Sequence, residues 1–224
     1  MDECMKPVLY VGNQNYSSWS MRPWLVLSWG KIDFETRVIR LGGEGYGKRQ
    51  VPRVLEISPS GTVPTLHLAD EVITDSLAIS EWAAEKEPLL WPREPLLRAQ
   101  ARSAACEMHS SFGALRTKLP CNIRRRVAAR QWGEDVLSEI ARVDTLWSGL
   151  YQRYAGQGPY LFGAQPTIVD AFFTPVATRF RTYSVTLGSV SQKYAEALLA
   201  NEAFRAWEAA AEREPWSMPE WDSA

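Results

Sequence analysis

Hydrophobic positions fall in two regimes along this chain. Up to residue 87 they gather in short runs, and beyond residue 95 they recur every three or four positions. The runs Val8 to Val11, Thr36 to Leu41, Thr65 to Leu68 and Val72 to Thr74 are bounded by polar and turn residues, so they predict strands. Between and after them, Ser20 to Trp29 and Ser76 to Glu85 predict helices. The first two strands, with a helix between them, are expected to pair in parallel by a right-handed crossover. The last two, separated by Ala69-Asp70-Glu71, are expected to form an antiparallel hairpin.

Pro88, Pro92 and Pro95 interrupt any helix there, because proline lacks the N–H and clashes with the preceding turn. Residues 88–95 therefore read as a linker between a first domain, 1–87, and a second, 96–224. In the second, Leu97, Ala101, Ala104, Met108, Phe112 and Leu115 predict one amphipathic helix, and Val136, Ile140, Val143, Trp147, Leu150 and Tyr154 another. Thr167-Ile168-Val169-Asp170 predicts a further helix start, with Thr167 as N-cap and Asp170 reaching back to it. The fold class is an α/β domain followed by an all-α bundle.

Three polar elements interrupt the apolar pattern of the first domain. Ser17, Ser18 and Ser20 stand where the first helix begins, behind the first strand. They are either ordinary caps or donors at an anion site, since free N–H groups and the helix dipole favour negative charge there. A thiol with a pKa near ~8.5 is about 3% ionised at neutral pH; lowering it by roughly two units takes about 2.7 kcal/mol, within reach of a helix end plus charge-assisted hydrogen bonds. Val63-Pro64 precedes the third strand, either as a trans proline at a sheet edge or as a cis turn that leaves the Val63 backbone facing outward. Such a backbone pair could hold an extended peptide. Asp75-Ser76 opens the next helix, as a cap or as a ligand contact.

Composition narrows the classes of function. The 224 residues carry a net charge of −1, which gives no electrostatic reason to expect nucleic acid or an anionic membrane. Ten tryptophans are expected in core and pocket walls. Cys4, Cys106 and Cys121 are unpaired by spacing, so neither a disulfide framework nor a metal site is expected, and a reducing cytoplasm fits. His67 and His109 are the only histidines, and His67, mid-strand, reads as structural. No apolar signal core or membrane-length run is present. Gly42-Gly43-Glu44-Gly45-Tyr46-Gly47 lacks phosphate-loop spacing and reads as a loop bordering a pocket. Arg124, Arg125, Arg126 and Arg130 read as a solvated helix face in preference to an anion patch.

Taken in order, Ser17-Ser18-Trp19-Ser20-Met21-Arg22, then Val63-Pro64-Thr65-Leu66, then Asp75-Ser76, and later Pro166-Thr167-Ile168-Val169-Asp170-Ala171 resemble a bacterial-type cytosolic glutathione transferase over nearly the whole chain. The first segment is most similar to the Ser-Ser-Cys-Ser-Trp-Arg segment of the zeta class, with Trp19 in place of the cysteine. The resemblance implies a thioredoxin-like first domain with its chemistry at the start of the first helix, glutathione as co-substrate, no metal, and a cytoplasmic homodimer. It implies Ser17 or Ser18 as the residue holding the thiolate, with Val63, Pro64, Asp75 and Ser76 binding the rest of glutathione. Asp75 departs from the usual Glu or Gln. A small-molecule electrophile would lie against the second domain, with Trp19, Met108, His109, Phe112, Leu115 and Arg116 as its pocket; Met108, Phe112 and Leu115 also read as bundle core.

Conjugation of glutathione to a small hydrophobic electrophile ranks first among the implied activities. The alternative is a glutathione-dependent cis-trans isomerase of a maleyl-type diacid, which requires an arginine for the distal carboxylate. Arg179 and Arg181 follow Pro175 near the zeta position, at a different spacing. A non-catalytic binding module is the third reading.

Overall fold

A computed structural model describes residues 6–223. Its sheet has four strands, β1 (Val8–Gly12), β2 (Glu35–Ile39), β3 (Thr65–Leu68) and β4 (Glu71–Thr74), in the order β2-β1-β3-β4. β1 and β2 are parallel, with Leu9 opposite Thr36, and β3 and β4 form the antiparallel hairpin, with Leu66 opposite Ile73. β1 also pairs antiparallel with β3, placing Leu9 against Leu66, both fully buried. The crossover between β1 and β2 is α1 (Ser18–Trp29). It carries Pro23 in its interior, past the four N–H groups that a helix start leaves free, so the Trp19 carbonyl goes without its i+4 donor. A short α2 (Pro52–Leu55), which the sequence pattern does not predict, follows β2, and α3 (Ser76–Lys86) follows β4.

Beyond a single 3₁₀ turn at Pro88–Leu90 come α4 (Pro95–Ser110), α5 (Gly113–Lys118), α6 (Glu134–Tyr154), α7 (Ile168–Thr182), α8 (Ser189–Ala200), α9 (Glu202–Arg213) and a terminal turn, α10 (Pro219–Asp222). The predicted helix through Leu97 and Leu115 is in fact two, α4 and α5. Ser111 is extended and Phe112 adopts φ +66, so the chain turns before α5 starts. Arg126 and its neighbours correct another expectation: residues 124–126 lie in an irregular segment between α5 and α6, not on a helix face.

The second domain is built on α7, nearly all of whose side chains are buried. Its start is fixed by Asp170, whose carboxylate accepts from the Thr167 N–H (2.7 Å) and hydroxyl (2.9 Å), the Leu161 N–H (3.3 Å) and the Tyr194 hydroxyl (2.9 Å). Burial pushes its pKa up against those four donors. Nearby, Trp147 of α6 packs edge-on against Phe173, Phe180 and Tyr194. The apolar core continues from Leu9, Val11 and Leu25 through α7 to Phe204 and Trp207, so α1 is buried against both the sheet and the helical bundle. Among the described residues no helix is long and apolar enough to cross a membrane.

Candidate functional site

A cleft runs along the start of α1, where sheet loops, α7 and the chain's last turn meet. It has three adjoining lobes of about 380, 440 and 290 Å³, and Trp19 borders all three. The first lobe is bounded by Ser17, Ser18, Tyr46, Val63 and Trp221, the second by Arg49, Val63, Pro64, Asp75 and Ser76, and the third by Ser18, Arg116, Cys121, Arg179 and Trp221.

Ser17 is the N-cap of α1. Its oxygen accepts from the Ser20 N–H at 3.4 Å while its hydroxyl donates to the Ser20 oxygen at 2.7 Å, and that oxygen in turn accepts from the Gly12 N–H at 3.0 Å. The strand end and helix start are thereby tied through two hydroxyls. Ser18 is differently placed: its oxygen accepts from Arg179 Nη2 at 3.2 Å, leaving its own proton uncommitted. Both serines are buried yet border the cleft.

The second lobe is made by backbone as much as side chain. Val63-Pro64 is cis, and no hydrogen bond among the described residues engages the Val63 backbone. Asp75 caps α3 with φ +83, a left-handed conformation costly for a residue other than glycine, and its Oδ1 accepts from the Leu77 N–H at 2.7 Å. Beside it the Ser76 hydroxyl is fully buried and has no partner among the described residues. An orphaned buried hydroxyl costs free energy unless a ligand satisfies it.

Positive charge dominates the third lobe. Arg179, on α7, is buried, donating to the carbonyls of Leu119 (2.8 Å) and Pro175 (3.3 Å) as well as to Ser18. Arg116, on α5, donates to the carbonyls of Ser111, His109 and Met108 and so closes the end of α4, with Nη1 buried and unpartnered. Burial, then the Arg179 charge, pushes its pKa down to about 10. Behind Trp19, Arg22 lies 4.3 Å from that ring and 4.7 Å from the Phe172 ring, fully buried, with Nε and Nη1 unpartnered. Burial, then Arg116 and Arg179, lower its pKa; Asp75 opposes them. Three guanidinium groups thus crowd one corner, and an anion in the cleft relieves their repulsion.

The remaining predicted pocket residues are distributed differently. Met108, Phe112 and Leu115 are in the apolar core and do not border the cleft; Phe112 lies at the break between α4 and α5. His109 stands edge-on to Trp19 with Nε2 3.5 Å from Asp75 Oδ2, and burial pushes its pKa below the ordinary value against the pull of Asp75. Arg181 points away, pairing with Glu208 at 2.6 Å. His67 Nε2 bonds the Ile57 carbonyl at 2.7 Å, within the fold. Tyr16, Tyr46, Arg49 and Trp221 border the cleft without having been singled out as site residues. Tyr46 and Gly47 belong to the glycine-rich loop, whose predicted place was a pocket border.

Comparison with known proteins bears on this arrangement. Residues 16–86 match the family model described as glutathione S-transferase, N-terminal domain, and residues 128–210 the corresponding C-terminal domain. A probable maleylacetoacetate isomerase of Caenorhabditis elegans is 29% identical over 180 residues, covering 78% of this chain and 80% of that protein. A maleylpyruvate isomerase of Ralstonia sp is 26% identical, covering 77% and 84%. Among solved structures, a glutathione transferase homologue from Burkholderia with bound glutathione superposes with a TM-score of 0.71 at 22% identity, over 93% of this chain and all of that one. The holo structure of a zeta-class maleylpyruvate isomerase superposes at 0.68 with 21% identity, over 94% of this chain and all of that one.

Proposed function

The chain belongs to the glutathione transferase family of enzymes, and from that premise we propose that it catalyses glutathione-dependent cis-trans isomerisation of a maleyl-type keto diacid. The observation that carries the reading is the pair Arg116 and Arg179 bordering the lobe beside Ser18. Conjugation ranks first on sequence alone because neither Arg179 nor Arg181 stands at the zeta spacing; Arg179, one turn beyond Pro175, nonetheless reaches the Ser18 oxygen. The isomerase names of the relatives at 29% and 26% identity favour the same ranking.

Glutathione lies in the first two lobes. Its γ-glutamyl ammonium faces Asp75, its carboxylate takes the orphaned Ser76 hydroxyl, and its peptide backbone pairs with Val63 beside the cis Pro64. Its sulfur reaches the start of α1, where the Ser17 proton swings from Ser20 to the thiolate, the stronger acceptor. The thiolate adds to the cis double bond of the diacid, whose electrons move into the adjoining carbonyl as an enolate. Rotation about the resulting single bond and expulsion of the thiolate give the trans isomer and return glutathione unchanged. Arg179 and Arg116 hold the distal carboxylate and balance the enolate charge.

Maleylpyruvate and an aryl halide distinguish this activity from conjugation, because only the acid uses the arginines. We expect kcat/KM to favour the acid by about a hundredfold, the worth of one charge-assisted contact. A preference for the aryl halide would restore conjugation to first place. Replacing Ser17 with Ala is expected to raise the pKa of bound glutathione by one to two units, or roughly 1.4 to 2.7 kcal/mol, read from thiolate absorbance against pH. An unshifted titration in Ser17→Ala with a shifted one in Ser18→Ala would transfer the role to Ser18. A cytoplasmic homodimer is part of the same reading; light scattering distinguishes a dimer from the 25.3 kDa chain.

A further inference from the structure

We propose that Trp221, on the chain's last turn, determines which second substrates the cleft accepts. Trp221 borders both the lobe beside Ser17 and Val63 and the lobe beside Arg116 and Arg179, so it faces glutathione on one side and the acceptor on the other. Tyr16 and Tyr46 border the same lobe as Trp221 and the two arginines. The third lobe is therefore lined by both guanidinium groups and aromatic rings. That pairing fits a flat conjugated acid, with its carboxylate on the guanidinium groups and its double bond against the indole.

The indole is held there by the segment from Glu214 onward, which is bonded to the loop that leads into Ser17. The Glu214 carboxylate accepts from the N–H groups of Gln14 (2.5 Å) and Asn15 (3.0 Å). Arg124 donates to the carbonyls of Glu214 and Trp216, both at 2.8 Å, and Arg125 to that of Trp221 at 3.4 Å. The Tyr16 hydroxyl accepts from the Met218 N–H at 3.1 Å and donates to Asp222 at 2.8 Å; Asn122 donates to the same Asp222 oxygen at 2.8 Å. This explains the arginine run 124–126 in part, since Arg124 and Arg125 serve as donors to the carbonyls of a segment that would otherwise have few partners. Asp222, exposed and outside the lobes, fastens the turn that carries the indole.

The inference rests on the reading that glutathione and an acidic acceptor share this cleft. Its test is the ratio of kcat/KM for cis-acetylacrylate and the bulkier cis-benzoylacrylate, with glutathione affinity measured separately by calorimetry. Trp221→Ala, compared with the parent at saturating glutathione, is expected to move the ratio toward the bulky acid by about tenfold or more, the scale on which hydrophobic pocket contacts discriminate. Trp221→Phe is expected to keep most of the parent's preference. Asp222→Ala, which frees the turn and leaves the indole intact, is expected to shift the ratio in the same direction by a smaller factor. A parental ratio in Trp221→Ala would overturn the inference and leave the glutathione reading standing. A parent protein that binds no glutathione would overturn both.

Discussion

Replacing Arg179 with Met is expected to lower kcat/KM for a maleyl-type keto diacid by two to three orders of magnitude, about 3 to 4 kcal/mol, with a far smaller loss in glutathione affinity. Arg179 is buried, so its field on a carboxylate in the adjoining lobe is poorly screened, and removing one partner of a desolvated charge pair typically costs about 2 to 5 kcal/mol. Arg116 remains to supply part of the attraction, which keeps the loss below the sum of both contacts. Methionine preserves bulk against Leu119 and Pro175 but leaves the Leu119 carbonyl and the Ser18 oxygen without their donor, whereas the Pro175 carbonyl keeps the Thr178 hydroxyl. A melting curve must therefore accompany the kinetics. Arg179→Lys keeps the charge without the planar fork and is expected to recover part of the rate. If Arg179→Met turns over the diacid like the parent, the carboxylate site is elsewhere.

Asp170→Ala is expected to be the most damaging substitution for stability, at about 3 to 5 kcal/mol, because it removes one acceptor from four donors. Those donors come from the loop before α7, the N-cap of α7 and Tyr194 of α8, so the loss loosens three elements at once. Methionine or leucine at this position would fare no better, since no apolar side chain satisfies the stranded N–H groups of Leu161 and Thr167. In a chain of this length the loss corresponds to a fall of roughly 10 °C in Tm, measurable by calorimetry or circular dichroism. Because Asp170 does not border the cleft, the protein that remains folded is expected to bind glutathione normally. A change in Tm of only a degree or two would show that solvent or rearranged side chains replace the carboxylate.

The contrast between these two arginine and aspartate sites reflects what the sequence could reveal. Asp170 was legible because a capping box is local: acceptor and cap are three residues apart, followed by an apolar periodic run. The strands, α1, α3 and the serine cluster were legible for the same reason, each announced by residues next to one another. The break between α4 and α5 carried a local signal too, in Ser110-Ser111 and Gly113, but the apolar spacing through Phe112 and Leu115 obscured it. Arg179 could not be placed by spacing from Pro175, since what aims it is a hydrogen bond to Ser18, 161 residues away. The last turn is the least legible part. Trp221 reaches the cleft on a turn held by Tyr16 and Asn122 through Asp222 and by Arg125 through the Trp221 carbonyl, none of which shares a pattern with it.

Charge explains why the proposed acidic acceptor draws its support from the cleft and not from composition. The chain's net charge of −1 conceals a local excess, with Arg22, Arg116 and Arg179 gathered beside Trp19, opposed by Asp75 and, at Arg116, by Glu139. Trp19 itself does more than narrow the cleft: its ring lies 4.3 Å from the Arg22 guanidinium and 4.8 Å from that of Arg116, so its face stabilises both cations. A cysteine at this position would leave those charges without that partner.

Proton NMR of maleylpyruvate mixed with the protein and one-tenth its amount of glutathione tests the central claim most directly, because it reads product geometry and the fate of the thiol together. Complete conversion of cis to trans vinyl signals is expected, with many turnovers per glutathione and free glutathione unchanged at the end. Conversion that stops when glutathione is used up, with a thioether signal in its place, would contradict it.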